Sequence, residues 1–161
     1  MKKQSIFGIG LFGGAVAAAA FLGGRFNPGP GTEARLWYRE QRKSPLNPPD
    51  KVFAPVWLTL YTLVGVAGYR VWRAPRSSKR ETALRLWVVQ LALNTAWSPI
   101  FFGAKKPVIS FVDLLALVAA QFAFVRSAKD VDRTAAALFA PYIAWVLFAG
   151  YLNAEIIRRN R

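Results

Sequence analysis

The chain has 161 residues, 22 Lys plus Arg against 8 Asp plus Glu, a formal charge of +14, 54% hydrophobic residues and neither Cys nor His. Without Cys there is no disulfide framework, thiol nucleophile or thiolate metal site, and without His the commonest general base and the commonest haem and zinc ligand are gone. The composition therefore points away from most enzyme chemistry, and no catalytic residue or metal-ligand set is assigned.

Five apolar stretches, at about 5–24, 52–72, 82–102, 107–125 and 134–157, contain only Arg70, Arg85, Asp113 and Glu155 as charged residues. The rest of the charge crowds into the connections, a segregation that amphipathic helices of a soluble domain do not show. About 20 apolar residues at roughly 1.5 Å each cross a hydrocarbon core about 30 Å thick, and a helix satisfies its own backbone there. The pattern predicts an all-α integral membrane protein, a single five-transmembrane-helix bundle with a long first loop, multi-pass in a bacterial envelope or an organellar membrane. The basic connections then meet membrane lipids, with no nucleic acid as partner.

In chain order, the first stretch follows Lys2 and Lys3, as a secretory signal would. Its length and the close-packing pattern Gly10-x-x-x-Gly14 favour a retained span. The connection over residues 25–51 holds Pro28, Pro30, Pro45, Pro48 and Pro49, and a loop of that length is read as a lid or binding segment. Within it Arg35, Trp37, Tyr38, Arg39 and Glu40 predict a short amphipathic helix at the headgroups. The second span carries Phe53, Trp57 and Tyr61 on one face, and the third Gln90, Asn94, Trp97 and Phe101. On the fourth, Asp113, Leu117 and Gln121 share a face, and on the fifth Trp145, Ala149 and Asn153 do. Asp113 faces inward, where it either serves a ligand or caps its helix and pairs with Lys105 or Lys106. Trp72 and Trp87, near span ends, are read as interface anchors or plain packing. Pro55, Pro99 and Pro141 should bend their helices.

Several strings also occur together in one order: Trp37-Tyr38, Asn47-Pro48-Pro49, Phe53-Ala54-Pro55-Val56-Trp57, Gln90-Leu91-x-Leu93-Asn94-x-x-Trp97-x-Pro99-x-Phe101-Phe102-Gly103, Asp113-Leu114-Leu115, Pro141-Tyr142-x-Ala144-Trp145 and Leu152-Asn153. In these the chain resembles the translocator protein family, the tryptophan-rich sensory proteins also called peripheral-type benzodiazepine receptors, from residue 37 to the C-terminus. The resemblance implies a membrane receptor for porphyrins and other hydrophobic ligands, often a homodimer, with a sensory or transport role. No cofactor is required, and a porphyrin or haem-type tetrapyrrole enters as ligand. The alternatives are a light-dependent porphyrin-degrading enzyme and a tetrapyrrole or sterol carrier. The resemblance and the helix faces assign ligand binding to Pro48, Pro49, Phe53, Trp57, Tyr61, Asn94, Trp97, Trp145 and Ala149, with propionates near Arg39, Arg42 or Lys43. Leu46 and Lys51 stand where the family usually has aromatic residues, which implies a looser lid. No Tyr lies within five residues before Arg158, so the animal sterol pattern is missing.

Overall fold

A computed structural model describes the backbone of residues 2–161 and the side chains of residues 6–161. The side chains of Lys2 and Lys3 lie outside the described residues. The chain forms α1 (Lys2–Gly24), α2 (Glu33–Glu40), α3 (Asp50–Arg73), α4 (Ser78–Ser98), a π-helical turn (Pro99–Gly103), α5 (Pro107–Ala128), α6 (Arg133–Ala137) and α7 (Ala140–Arg159), with no strand among the described residues. Four segments, Ile6–Gly24, Asp50–Arg73, Pro107–Ala128 and Arg133–Arg159, are long and apolar enough to cross a membrane. Helix α4 is as long, but Arg85, Gln90 and Asn94 lower its hydropathy, so length and composition alone do not mark it as a span.

Prolines place the irregularities. Pro99 has no N–H to give and crowds the carbonyl one turn back, so the ladder at the end of α4 widens. Ala104 N donates to Pro99 O at 2.8 Å and Lys106 N to Ile100 O at 3.1 Å. Near the chain's end the expected continuous span over 134–157 is instead two helices, because Pro141 in the first turn of α7 cannot continue a ladder from α6. The first connection carries the short helix expected in it, with α2 in its middle. Thr32 caps that helix by accepting from Arg35 N at 3.2 Å, and Gly31 at φ +75° turns the chain into it.

Helices α4 and α5 pack as an antiparallel pair, α7 lies on α5, and α1 fits between α3 and α4, while α3 and α7 barely touch. The tight core sits toward the α6 end, where Val64, Ala67, Val71, Leu117, Phe124, Phe139 and Val146 are enclosed and the Phe124 and Phe139 rings stack at 4.0 Å. Trp87 belongs to this core: it is 4% exposed and donates from Nε1 to Val64 O at 2.8 Å, so packing, not the lipid interface, accounts for it. Outside the bundle Ile6, Phe7, Phe21, Leu58, Val88, Val112, Leu115, Phe122 and Leu147 are exposed. An apolar exterior of that extent suits hydrocarbon and not water.

Ion pairs tie the connections at the α6 end. Asp132 meets Arg70 at 3.0 Å and caps α6 by accepting from Ala135 N at 2.8 Å. Burial by itself would raise its pKa, but the Ala135 N–H and the Arg70 guanidinium outweigh burial and hold the carboxyl below the usual range. A carboxyl depressed in the folded state adds stability above its unfolded pKa and loses it as pH falls through the folded one. Thermal melts in detergent should therefore drop below about pH 4, and Asp132→Asn should remove part of that drop while costing about 1 kcal/mol at neutral pH.

Candidate functional site

A cavity of about 900 Å³ opens at the end of the bundle opposite α6 and extends along α1 and α3 as far as Ile9 and Tyr69, with Leu117 and Val146 of the core in its wall. It exists because α3 and α7 do not close on each other, and large aromatic side chains stand along the gap instead of interdigitating. From α3 come Phe53, Trp57 and Tyr61, from α4 Asn94 and Trp97, and from α7 Trp145 and Ala149. Of the residues assigned from sequence these seven line one space, brought together by single faces of three helices. Pro48 and Pro49 do not line it: Pro48 is half-buried beside the mouth, and Pro49 is exposed at the start of α3.

The aromatic groups touch in three sets. Phe53 meets Trp145 edge to face at 5.9 Å, Trp57 lies 5.5 Å from Tyr61 and 6.3 Å from Tyr142, and Trp97 stacks on Phe101 at 4.7 Å. Polar groups are few and placed. Tyr61 Oη donates to Asn94 Oδ1 at 2.7 Å, joining α3 to α4 at the cavity wall. Walls of ring faces with a few fixed hydrogen-bonding groups fit a flat, apolar guest.

Sequence reasoning missed the contribution of α1. Gly13, Ala17, Ala20, Gly23 and Gly24 form a wall of small residues, with Phe12 and Val16 beside them. The run of small residues was the available signal, and it was read as helix packing. Also missed were Tyr38 and Asp50 at the mouth.

Helix α2 caps this end. Its Trp37 and Tyr38 rings sit edge to face on Phe101 and Phe102 at 5.4 and 5.5 Å, and Glu33 pairs with Lys105. Three tethers hold the segment after α2: Tyr38 Oη donates to Asn47 Oδ1 at 3.1 Å, Ser44 Oγ and Tyr151 Oη lie 3.0 Å apart, and Asn160 bonds both Arg42 N and Arg42 O at 2.9 and 3.1 Å. Leu46 is 64% exposed and Lys51 is also exposed, so neither side chain seals the mouth.

The cations expected to receive propionates are not in the wall. Lys43 turns its ammonium onto Tyr38 O at 2.6 Å and Gln41 O at 3.2 Å, over the Tyr38 ring, and burial there lowers its pKa although Asp50 pulls the other way. Arg39 and Arg42 are exposed at the rim. Lys105 is engaged by Glu33, and Asp113 is left with Oδ2 unpartnered, so neither a helix cap nor a lysine accounts for it among the described residues.

Comparison with known proteins agrees with this architecture. A profile described as the TspO/MBR family matches residues 12–159. The chain is 39% identical over 148 residues to the translocator protein of Homo sapiens, covering 91% of this chain and 86% of that one. It is 36% identical over 168 residues to the tryptophan-rich protein TspO of Chlorobaculum tepidum, covering 99% of each. To the tryptophan-rich sensory protein of Cereibacter sphaeroides it is 37% identical over 128 residues, 77% of each.

Proposed function

The chain belongs to the TspO/MBR family of membrane proteins, and from that premise we propose that it is a receptor which holds a planar hydrophobic ligand, a porphyrin or related tetrapyrrole, in the aromatic cavity. The observation that carries the reading is the convergence of Trp57, Trp97 and Trp145 on a cavity of about 900 Å³. A tetrapyrrole ring would lie against these faces, and its carboxylates would leave through the mouth toward Arg39 and Arg42 at the rim. Titrating purified protein with porphyrin in the dark and then under light tests it. Tight binding with an unchanged absorption spectrum is the expected result. Bleaching that needs both light and protein would mean breakdown, with the tryptophans as redox participants. No saturable binding would remove the reading.

Five spans complete the receptor. Helix α4 packs between α1 and α5, both apolar enough to span, buries Ala83, Trp87 and Leu91 against them and turns Val88 and Val89 outward. A helix enclosed by two spans lies in the same hydrocarbon, with Arg85 reaching to the headgroups.

The receptor is a homodimer in this reading. Ala92 and Ala96 of α4, with Ala15 and Ala19 of α1, line a shallow groove of small side chains on the outer face, which lets a second backbone approach. Ala96→Leu should fill the groove and convert a crosslinkable dimer in native-like bilayers to monomer. An unmodified chain that crosslinks only as monomer would refute the pairing.

Residues 25–51 serve as the lid. Its tethers to α7 pass through Asn160 and Tyr151. Asn160→Ala should speed ligand release several-fold without changing the spectrum of bound ligand, and hydrogen exchange across 35–51 should slow on ligand binding. Exchange indifferent to saturating ligand would return the segment to a connector.

A further inference from the structure

One arm of the cavity has no part in the aromatic wall. Along α1 it runs past Gly13 to Ile9, and along α3 past Leu58, Thr62 and Val66 to Tyr69. These residues line the space and yet face outward: Leu58 is 72% exposed, Ile9 59% and Val66 43%, and Gly13 and Thr62 are exposed as well. The arm is therefore a groove whose outer side is open to hydrocarbon. Glycines set its shape. At Gly65 and Gly68 α1 lies tight on α3, where an added Cβ would stand 3.3 Å from Val16 and 2.6 Å from Phe12. Beside that seam an added Cβ at Gly13 would meet nothing within 4 Å, and further along Ala17 and Ala20 present single methyl groups to the space that Leu58 lines. The Thr62 hydroxyl is spent on Leu58 O at 2.8 Å, so the arm asks for no polar partner.

Length and charge identify what fits. From Tyr69 to Leu58 the α3 stripe covers about 16 Å at 1.5 Å per residue, which matches one leaflet of a hydrocarbon core about 30 Å thick. One turn past Tyr69, Arg73 holds its guanidinium 5.8 Å over the Tyr69 ring and makes no ion pair among the described residues, while Asp130 and Asp132 at the same end belong to Lys79 and Arg70. A helix of a second copy, about 10 Å across with its side chains, cannot enter a space edged by Ile9, Leu58 and Val66 as a single alkyl chain can. A free cation at the surface end of an apolar slot one leaflet long is complementary to an anionic headgroup with its acyl chain. We propose that the groove between α1 and α3 is a lipid site: it takes one acyl chain of an anionic phospholipid from the leaflet at the α6 end, with the phosphate at Arg73 and the chain running along Tyr69, Val66, Gly13 and Leu58 to the flank of the aromatic wall.

The site stands whether or not a tetrapyrrole fills the cavity, and its test uses none. Full-length protein is reconstituted in phosphatidylcholine vesicles holding a minority of phosphatidylglycerol whose acyl chain carries a diazirine near its end, the vesicles are irradiated, and labelled residues are located by peptide mass spectrometry. The expected label falls on 13–20 of α1 and 54–62 of α3, well above that on the outward faces of α5 and α7. Arg73→Gln should lower the groove label about tenfold, through loss of one charge-assisted phosphate contact, and a phosphatidylcholine probe should label the groove of the unmodified chain as weakly. Gly13→Leu should remove the label by filling the groove. Label spread evenly over all outward faces overturns the site. Groove label unchanged by Arg73→Gln overturns the headgroup contact, and crosslinks between copies through α3 in place of lipid label overturn the proposal in favour of a second chain. If Gly13→Leu does not insert, the map of the unmodified chain and Arg73→Gln, at an exposed helix end, still decide both points.

Discussion

Trp57→Leu combined with Trp145→Leu should weaken tetrapyrrole binding by roughly 30- to 100-fold. Each ring contributes about 1–1.4 kcal/mol of face contact beyond its buried area, and 1.4 kcal/mol is a factor of ten. Leu keeps most of the apolar contact, so the loss reports the rings and not a collapsed wall. The single variants should each lose several-fold, and any shortfall from additivity would show one ligand spanning both rings. Trp72 is the control. It packs beside Phe7 and behind Phe12 and Tyr69 without lining the cavity itself, so Trp72→Leu should leave affinity nearly unchanged. Equal quenching of tryptophan fluorescence by porphyrin in the unmodified chain and in the double variant would place the ligand elsewhere.

Gly68→Ala should destabilise the bundle by about 1–3 kcal/mol. A Cβ at this position would stand 2.6 Å from Phe12 Cδ1 and 2.6 Å from both Trp87 Cε2 and Trp87 Nε1. Both rings are boxed in, 6% and 4% exposed and 4.9 Å apart, so neither can swing aside. Moving Trp87 would also break its bond to Val64 O, adding about 1 kcal/mol. Against this stands a gain of up to about 1 kcal/mol from Ala over Gly in a helix. Gly150→Ala isolates that gain, since nothing lies within 4 Å of the added carbon. Melting temperatures in detergent should fall for the first variant and hold or rise for the second. A Gly68→Ala melt as high as that of Gly150→Ala would show that α1 is not packed on α3 as described.

Much of the protein was legible before any coordinates. Segregated charge marked the membrane class, because burying a charge in hydrocarbon is costly enough to leave a mark on composition alone. Helical spacing put Phe53, Trp57 and Tyr61 on one face, and Trp145 with Ala149 on another, since the 3.6-residue repeat is a local property of the backbone. The short helix in the first connection was visible in the alternation around Trp37 and Tyr38. Pro99 and Pro141 announced their irregularities, though a widened π turn in one place and a full break in the other depended on what packed beside each.

What needed the tertiary structure were the relations between faces. That α1 with its small residues supplies a wall, that Pro48 and Pro49 stand outside the lining, and that Lys43 spends its charge on the carbonyls ending α2 are outcomes of how separate helices meet. Spacing along one helix carries no information about that. Gln121 shows the division most clearly: by sequence it shares a stripe with Asp113 and Leu117, and only the packed bundle reveals its amide enclosed and unpaired. Periodicity and composition are set by residues near in the chain, so the sequence determined the class, the helices and their inward stripes. Which stripes enclose a cavity and which close into core is set by interhelical distances, and α3 standing away from α7 is the one that made this site.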